Sequence, residues 1–225
     1  MGEVIGELLP LALGVAISPI PIIAVIIMLL APRAGAAAAG FLLGWVIGIM
    51  VAVVVFIALA GRTSIGSGGE PTTIASVIKL VLGLLLLGLA VWQWRSRPKP
   101  GEQPKMPMWL AAVDKITTGK AIGLGLLLSA GNVKNLPLLA AAGLVVGTAG
   151  LSAGGAALAV LIFAVIAVST VAIPVIGYEF ARDRMGPWLK RLHAWLAEHN
   201  AAVMTVLLAV IGAVLFGKGL GGLWH

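Results

Sequence analysis

The chain has 225 residues, 60% of them hydrophobic and 10% charged, with a net charge of +7, a mean hydropathy of +1.12 and no cysteine. A soluble domain carries about 25% charged residues, so this composition excludes a water-soluble globule and describes an integral membrane protein. The missing thiols exclude disulfides, thiolate metal sites and thiol redox chemistry, and the basic balance reads as cytoplasmic connections facing anionic lipid, not as nucleic-acid binding.

A membrane span needs about 20 mostly apolar residues. The first candidate covers about 4–30. Glu3 and Glu7 stand where a cleavable signal would carry Lys or Arg, so this segment is expected to stay in the protein. It is interrupted near its middle by Ser18-Pro19-Ile20-Pro21. Proline lacks a backbone donor and clashes with the preceding turn. The break therefore frees polar backbone at membrane depth, which survives in lipid only inside protein or along a cavity. The second span, 36–60, carries Gly40, Gly44 and Gly48 on one face. Small residues at this spacing let helices approach closely, within one protomer or across a homodimer.

The third span, 73–94, holds Lys79 near one end, where it can snorkel. Trp92, Trp94 and Trp109 flank the next connection as interfacial anchors. A linker rich in proline and charge follows over 98–118. The fourth span, 120–146, is broken by Asn132-Val133-Lys134-Asn135-Leu136-Pro137. In the fifth, 152–178, Ser169, Thr170 and Pro174 form an interruption. A proline kink with hydroxyls bonded back to their own helix is preferred there over a gate. At 188–199, Trp188, Leu189, Leu192, Trp195 and Leu196 share a face, as in an amphipathic helix lying on the cytoplasmic surface. The sixth span is 201–217.

Basic residues set the orientation. Connections after spans 1, 3 and 5 hold Arg33, the group Arg95, Arg97, Lys99, Lys105, Lys115 and Lys120, and the group Arg182, Arg184, Lys190 and Arg191; the opposite side has Arg62 and Lys218. This asymmetry places the odd connections in the cytoplasm and both termini outside, in a multi-pass inner-membrane protein. The expected fold is all-α, with six spans in two inverted three-helix repeats, 1–97 and 119–225, each opening on a broken helix. Interrupted spans in matching positions of two halves point to a transporter's binding site.

Lys134 lies 14 residues past Lys120, about 21 Å along a helix. A lysine at that depth costs roughly 2.5–3.5 kcal/mol on insertion scales and is by default a functional group. The 8 acids are Glu3, Glu7, Glu70, Glu102, Asp114, Glu179, Asp183 and Glu198, none deep in a span. Lys134 therefore lacks an evident counter-ion, and an anionic substrate would supply one. Half-helix N-termini at the breaks add partial positive charge. The same lack of carboxylates argues against a divalent-cation carrier. Ser18, Asn132 and Asn135 complete the candidate substrate site, though capping of the half-helices is an equal account of either Asn. Pro19, Pro21, Pro137 and Pro174 shape the breaks. His193, His199 and His225 are scattered and form no metal site, and no cofactor is implied. Asp114 and Lys115 read as a surface pair.

The segments LLPLALGVAISPIPIIAVIIMLLAPRA, FLLGWVIGI, WQWRSRPKPGE, NVKNLPLLAAAGL and HNAAVMTVLLAVIG resemble the peptidoglycolipid-addressing (GAP) family of the lysine-exporter superfamily, over almost the whole chain. One departure is visible: Val133 stands where that superfamily usually has proline. The resemblance implies export of a cell-envelope lipid or glycolipid, in mycobacteria and their actinobacterial relatives, by a protein often dimeric. Membrane lipid and an anionic lipid or small-molecule substrate are the expected partners. Other branches carry amino acids, so an exporter of a small amino acid or related metabolite is the alternative, and a non-transporting scaffold for envelope assembly is a third. No nucleophile–base–acid set is present, so an enzyme is not expected, and no ATP-binding motif is present, so the expected energy source is a gradient or a partner protein.

Overall fold

A computed structural model describes residues 1–31, 34–63, 73–97, 113 and 116–223, with the side chains of residues 34, 62–63 and 181–184 undescribed. Most of the linker at 98–118, Trp109, and the basic side chains Arg33, Arg62, Lys99, Lys105, Lys115, Arg182 and Arg184 lie outside this description. Among the described residues seven helices follow in order: α1 Gly2–Ala16, α2 Pro19–Leu30, α3 Ala34–Thr63, α4 Thr73–Arg95, α5 Thr118–Ala130, α6 Leu136–Thr148 and α7 Ala153–Gly221. No strand occurs among the described residues.

Proline writes the first break. Ser18 adopts an extended conformation (φ −61°, ψ 110°) and Pro19 opens α2, where a missing N–H costs nothing. The two helices meet at 49°. The second break is wider. Gly131 to Asn135 separate α5 from α6, and Pro137 sits in the first turn of α6. Gly150, at φ 61°, turns the chain from α6 into α7, a left-handed conformation that glycine adopts without strain.

Among the described residues, four helical stretches are long and apolar enough to cross a membrane, or five when the bent pair α1–α2 is one span. By length and composition the expected fourth span is not among them. The fourth span is two helices of 13 residues each, about 20 Å apiece, against a hydrocarbon core of about 30 Å. The surface helix expected at 188–199 is also corrected, because those residues continue the helical run of α7. Leu189 and Leu196 are buried, while Trp188 and Trp195 face outward at 47% and 50% exposure. The amphipathic pattern therefore marks a helix packed on one side against its neighbours. Trp92 and Trp94 are exposed at the end of α4, with the Arg97 guanidinium 3.7 Å from the Trp94 ring centre.

α7 passes α1 twice. Met1 meets Gly155 and Ala16 meets Thr170, so the first stretch of α7 runs parallel to α1. Further on, Gly14 meets Ile211 and Glu7 meets Lys218, so the later stretch runs antiparallel. The helical run bends back after Gly177, whose Cβ position lies 3.2 Å from the Met185 methyl. Eight residues of straight helix span about 12 Å, farther than a methionine reaches. The returning stretch packs antiparallel on α4, pairing Leu80 with Gly219, Gly83 with Phe216 and Leu87 with Gly212.

α3 receives α5 and α6 in the same parallel sense. Gly40 meets Thr118, Gly44 meets Ile122 and Gly48 meets Ser129; farther along, Phe56 meets Gly143 and Ala60 meets Gly147. The glycine face of α3 is thus filled by α5 of the same chain, leaving it no room for a second copy. Gly125 returns the fit against Phe41 and Trp45. In lipid there is little hydrophobic gain from such burial, so close van der Waals packing holds the pair. Phe41 and Trp45, both fully buried, stack at 6.2 Å in the core beside this seam.

Candidate functional site at the helix breaks

The two breaks reach the same depth. α1 and α6 touch where Gly14 meets Leu138. From that contact α1 runs about 6 Å to Ser18, and α6, traced backwards, runs about 4.5 Å to Asn135. The two helices are antiparallel, so both displacements point the same way. Ser18 and Asn135 end buried at 2% and 0% exposure, with Pro19, Pro21 and Pro137 buried beside them.

Freed backbone groups at each break find specific partners. Ile17 N donates to Leu13 O at 2.9 Å and Ser18 N to Val15 O at 3.2 Å. The Ala16 carbonyl, at the end of α1, accepts from the Thr170 hydroxyl of α7. This differs from the bond back within its own helix that the sequence predicts for Thr170. Ser169 does bond back, to Ile166 O at 2.7 Å, whereas Thr170 ties α7 to the first break. Pro174 is buried one turn farther along α7 and does not join the two breaks in any described contact. Thr170→Val is expected to destabilise the protein by about 1–3 kcal/mol by orphaning a buried carbonyl. Thermal unfolding in detergent checks this, with Thr170→Ser restoring the wild-type midpoint.

At the second break the two asparagines divide their tasks. The Asn132 side-chain oxygen accepts from Lys134 N at 3.0 Å, and its carbonyl accepts from the backbone N–H groups of Asn135 and Leu136, both at 2.9 Å. Asn132 thus shapes the turn, in the manner of an Asx turn. Asn135 donates from Nδ2 to Leu128 O at 3.5 Å, while its Oδ1 is buried without a hydrogen-bond partner among the described residues. A buried acceptor left unpaired costs free energy and stands ready for a donor. Ser129, fully buried, is turned to its own helix, donating to Leu126 O at 2.9 Å.

Lys134 is half-buried, and among the described residues no carboxylate pairs with it. The apolar residues on and beside this break are exposed: Leu127, Val133 and Leu136 at 64%, 67% and 40%. Lys134 therefore lies at a broken helix whose neighbouring positions are open to the surface, not in a fully buried stretch. Gly40, Gly44 and Gly48 do not join this site but seat α5, the helix that leads to it. Among the described residues no group of three His, Cys, Asp or Glu could hold a metal ion.

The model of one protein family, described as SfLAP: Sap, sulfolipid-1-addressing protein, matches residues 8–221. No curated protein and no solved structure matches the chain.

Proposed function

This chain belongs to the Sap, sulfolipid-1-addressing protein, family, and on that footing we propose that it moves an anionic lipid-linked molecule of the cell envelope across the plasma membrane. The observation that carries the reading is Lys134. It is a cation without a carboxylate partner among the described residues, set at a helix break and flanked by exposed apolar side chains. A charged headgroup would pair with the ammonium while its acyl chains stay in lipid beside Leu127, Val133 and Leu136. This lateral exposure favours lipid-linked cargo over a small amino acid, which needs a closed aqueous pocket.

The mechanism we propose is alternating access by two inverted halves, 1–97 and 119–225, joined through 98–118, with six passes and both termini outside. The reciprocal packing supports it. The broken pair α1–α2 leans on α7, and the broken pair α5–α6 leans on α3. The two break sequences also support kinship with the wider lysine-exporter superfamily. No enzymatic step belongs to this reading.

The burial of Ser18 and Asn135 favours a second reading, a scaffold whose breaks are packing features only. Reconstitution into liposomes decides between them. A fluorescent anionic lipid is expected to change leaflets faster with the protein present, and a zwitterionic analogue much less. Equal leaflet exchange with and without the protein leaves the scaffold reading standing and removes the transporter.

A further inference from the structure

Away from the breaks, the end of the bundle where α1 begins and α7 finishes holds a second charged cluster. Glu7 on α1 forms ion pairs with two ammonium groups. Lys218 Nζ of α7 lies 2.7 Å from its Oε1, and Lys79 Nζ of α4 lies 3.8 Å from its Oε2. Two cations share one anion, so the cluster keeps a surplus of one positive charge. Glu7 and Lys79 are largely enclosed, at 18% and 15% side-chain exposure, while Lys218 at 39% opens outward. Beside them is a pocket of about 50 Å³, walled by Glu7 and Lys218 and floored by Pro10, Leu11, Val145, Ile211, Val214 and Leu215. All three charged residues lie within about two turns of their helix ends, at one end of the bundle.

A surplus cation over an apolar floor fits an anionic amphiphile. Headgroup oxygens would take the ammonium groups, as charge-assisted hydrogen bonds. The methylenes next to the headgroup would enter the pocket, which admits a short length of chain and no more. We propose that Glu7, Lys79 and Lys218 form a second anion site for a singly charged lipid headgroup, in which Glu7 is the resident anion that the headgroup displaces. Glu7 keeps the lysines placed and compensated while the site is empty. Its displacement also undoes the ion pair that ties α1 to the returning stretch of α7. The site rests on the transporter reading for its purpose, as the place where cargo leaves or waits, but not for its binding.

The sign of one substitution tests it. A purely structural ion cluster predicts that Glu7→Gln weakens everything at this end. A site with a resident competitor predicts the reverse for lipid, because removing Glu7 raises the local charge by one. The probe is short-chain phosphatidylglycerol, with phosphatidylcholine of equal chain length and inorganic sulfate as comparison arms. Retention is read by native mass spectrometry on the full chain carrying Lys134→Gln, so that binding at the breaks does not contribute. Glu7→Gln is expected to raise phosphatidylglycerol retention several-fold, and Lys79→Gln with Lys218→Gln to lower it about tenfold, with phosphatidylcholine unchanged throughout. Lys79→Gln alone keeps the 2.7 Å pair of Glu7 with Lys218 and is the variant that stays folded if Glu7→Gln does not; it is expected to lower retention. Unchanged or reduced retention in Glu7→Gln that folds, or unchanged retention in Lys79→Gln, overturns the proposal. Sulfate displacing the lipid at equal concentration overturns the part given to the apolar floor. Because Lys134→Gln is present in every arm, these outcomes stand apart from success or failure of the leaflet-exchange assay.

Discussion

Lys134→Gln is expected to reduce protein-dependent leaflet exchange of an anionic lipid by about tenfold to a hundredfold, with expression and thermal midpoint close to wild type. The magnitude follows from the interaction removed. A hydrogen bond to a charged group contributes about 1.5–3 kcal/mol, and about 1.4 kcal/mol is a factor of ten. The stability expectation follows from geometry: the ammonium has no carboxylate partner among the described residues, so removing it orphans none of them. Lys134 N stays bonded to the Asn132 side chain whatever the side chain at 134, so the turn survives. Lys134→Arg keeps the charge and should retain a large part of the activity, while Lys134→Glu should abolish it. Wild-type leaflet exchange in Lys134→Gln, measured in the same liposomes, would remove the headgroup role.

Gly44→Leu is expected to be the most damaging single change in the hydrocarbon region. A Cβ at this position would fall 2.0 Å from the Ile122 carbonyl oxygen and 2.8 Å from its carbon. Those are backbone atoms, so no rotamer change relieves the clash and α5 must move off α3. Overpacking a well-filled core costs about 1–3 kcal/mol, and a bulky side chain against backbone belongs at or above the top of that range. The displacement would travel to the second break, because α5 ends at the turn that carries Lys134. Both stability and leaflet exchange should fall together, measured as a lowered unfolding midpoint and lost transport. Gly123→Ala on the facing helix, where a Cβ meets nothing within 4 Å, is the control and should be neutral. A wild-type midpoint for Gly44→Leu would mean that α3 and α5 are not seated as described.

The breaks were legible in the sequence because proline and clustered asparagine act locally. Pro19 and Pro137 each stand in the first turn of a helix, where the missing N–H needs no partner, and Asn132 turns the backbone with its own side chain. What was not legible depends on register between distant helices. Thr170 has the same local sequence whether it bonds back or reaches Ala16; only the parallel seating of α7 on α1 decides. Lys79 looked like a snorkelling lysine because Glu7 and Lys218 are remote in sequence and meet only once α1, α4 and α7 are packed. The glycine spacing of α3 announced a close approach but not the partner, which proves to be α5. The pattern at 188–199 has one apolar side whether the helix floats on a surface or continues a longer one, so periodicity could not separate the two.

The exchange of partners between halves bears on how the chain is made. α1 leaves the ribosome before α7, yet the hydroxyl that satisfies its last carbonyl belongs to Thr170, and Lys218 is the nearer of the two lysines paired with Glu7. Synthesis at 5–20 residues per second separates these groups by many seconds, during which the first helices wait in the bilayer or beside the insertion machinery with polar backbone uncovered. Nascent chains stopped before α7 should therefore be short-lived prey for membrane quality-control proteases, and supplying α7 as a separate polypeptide should rescue them.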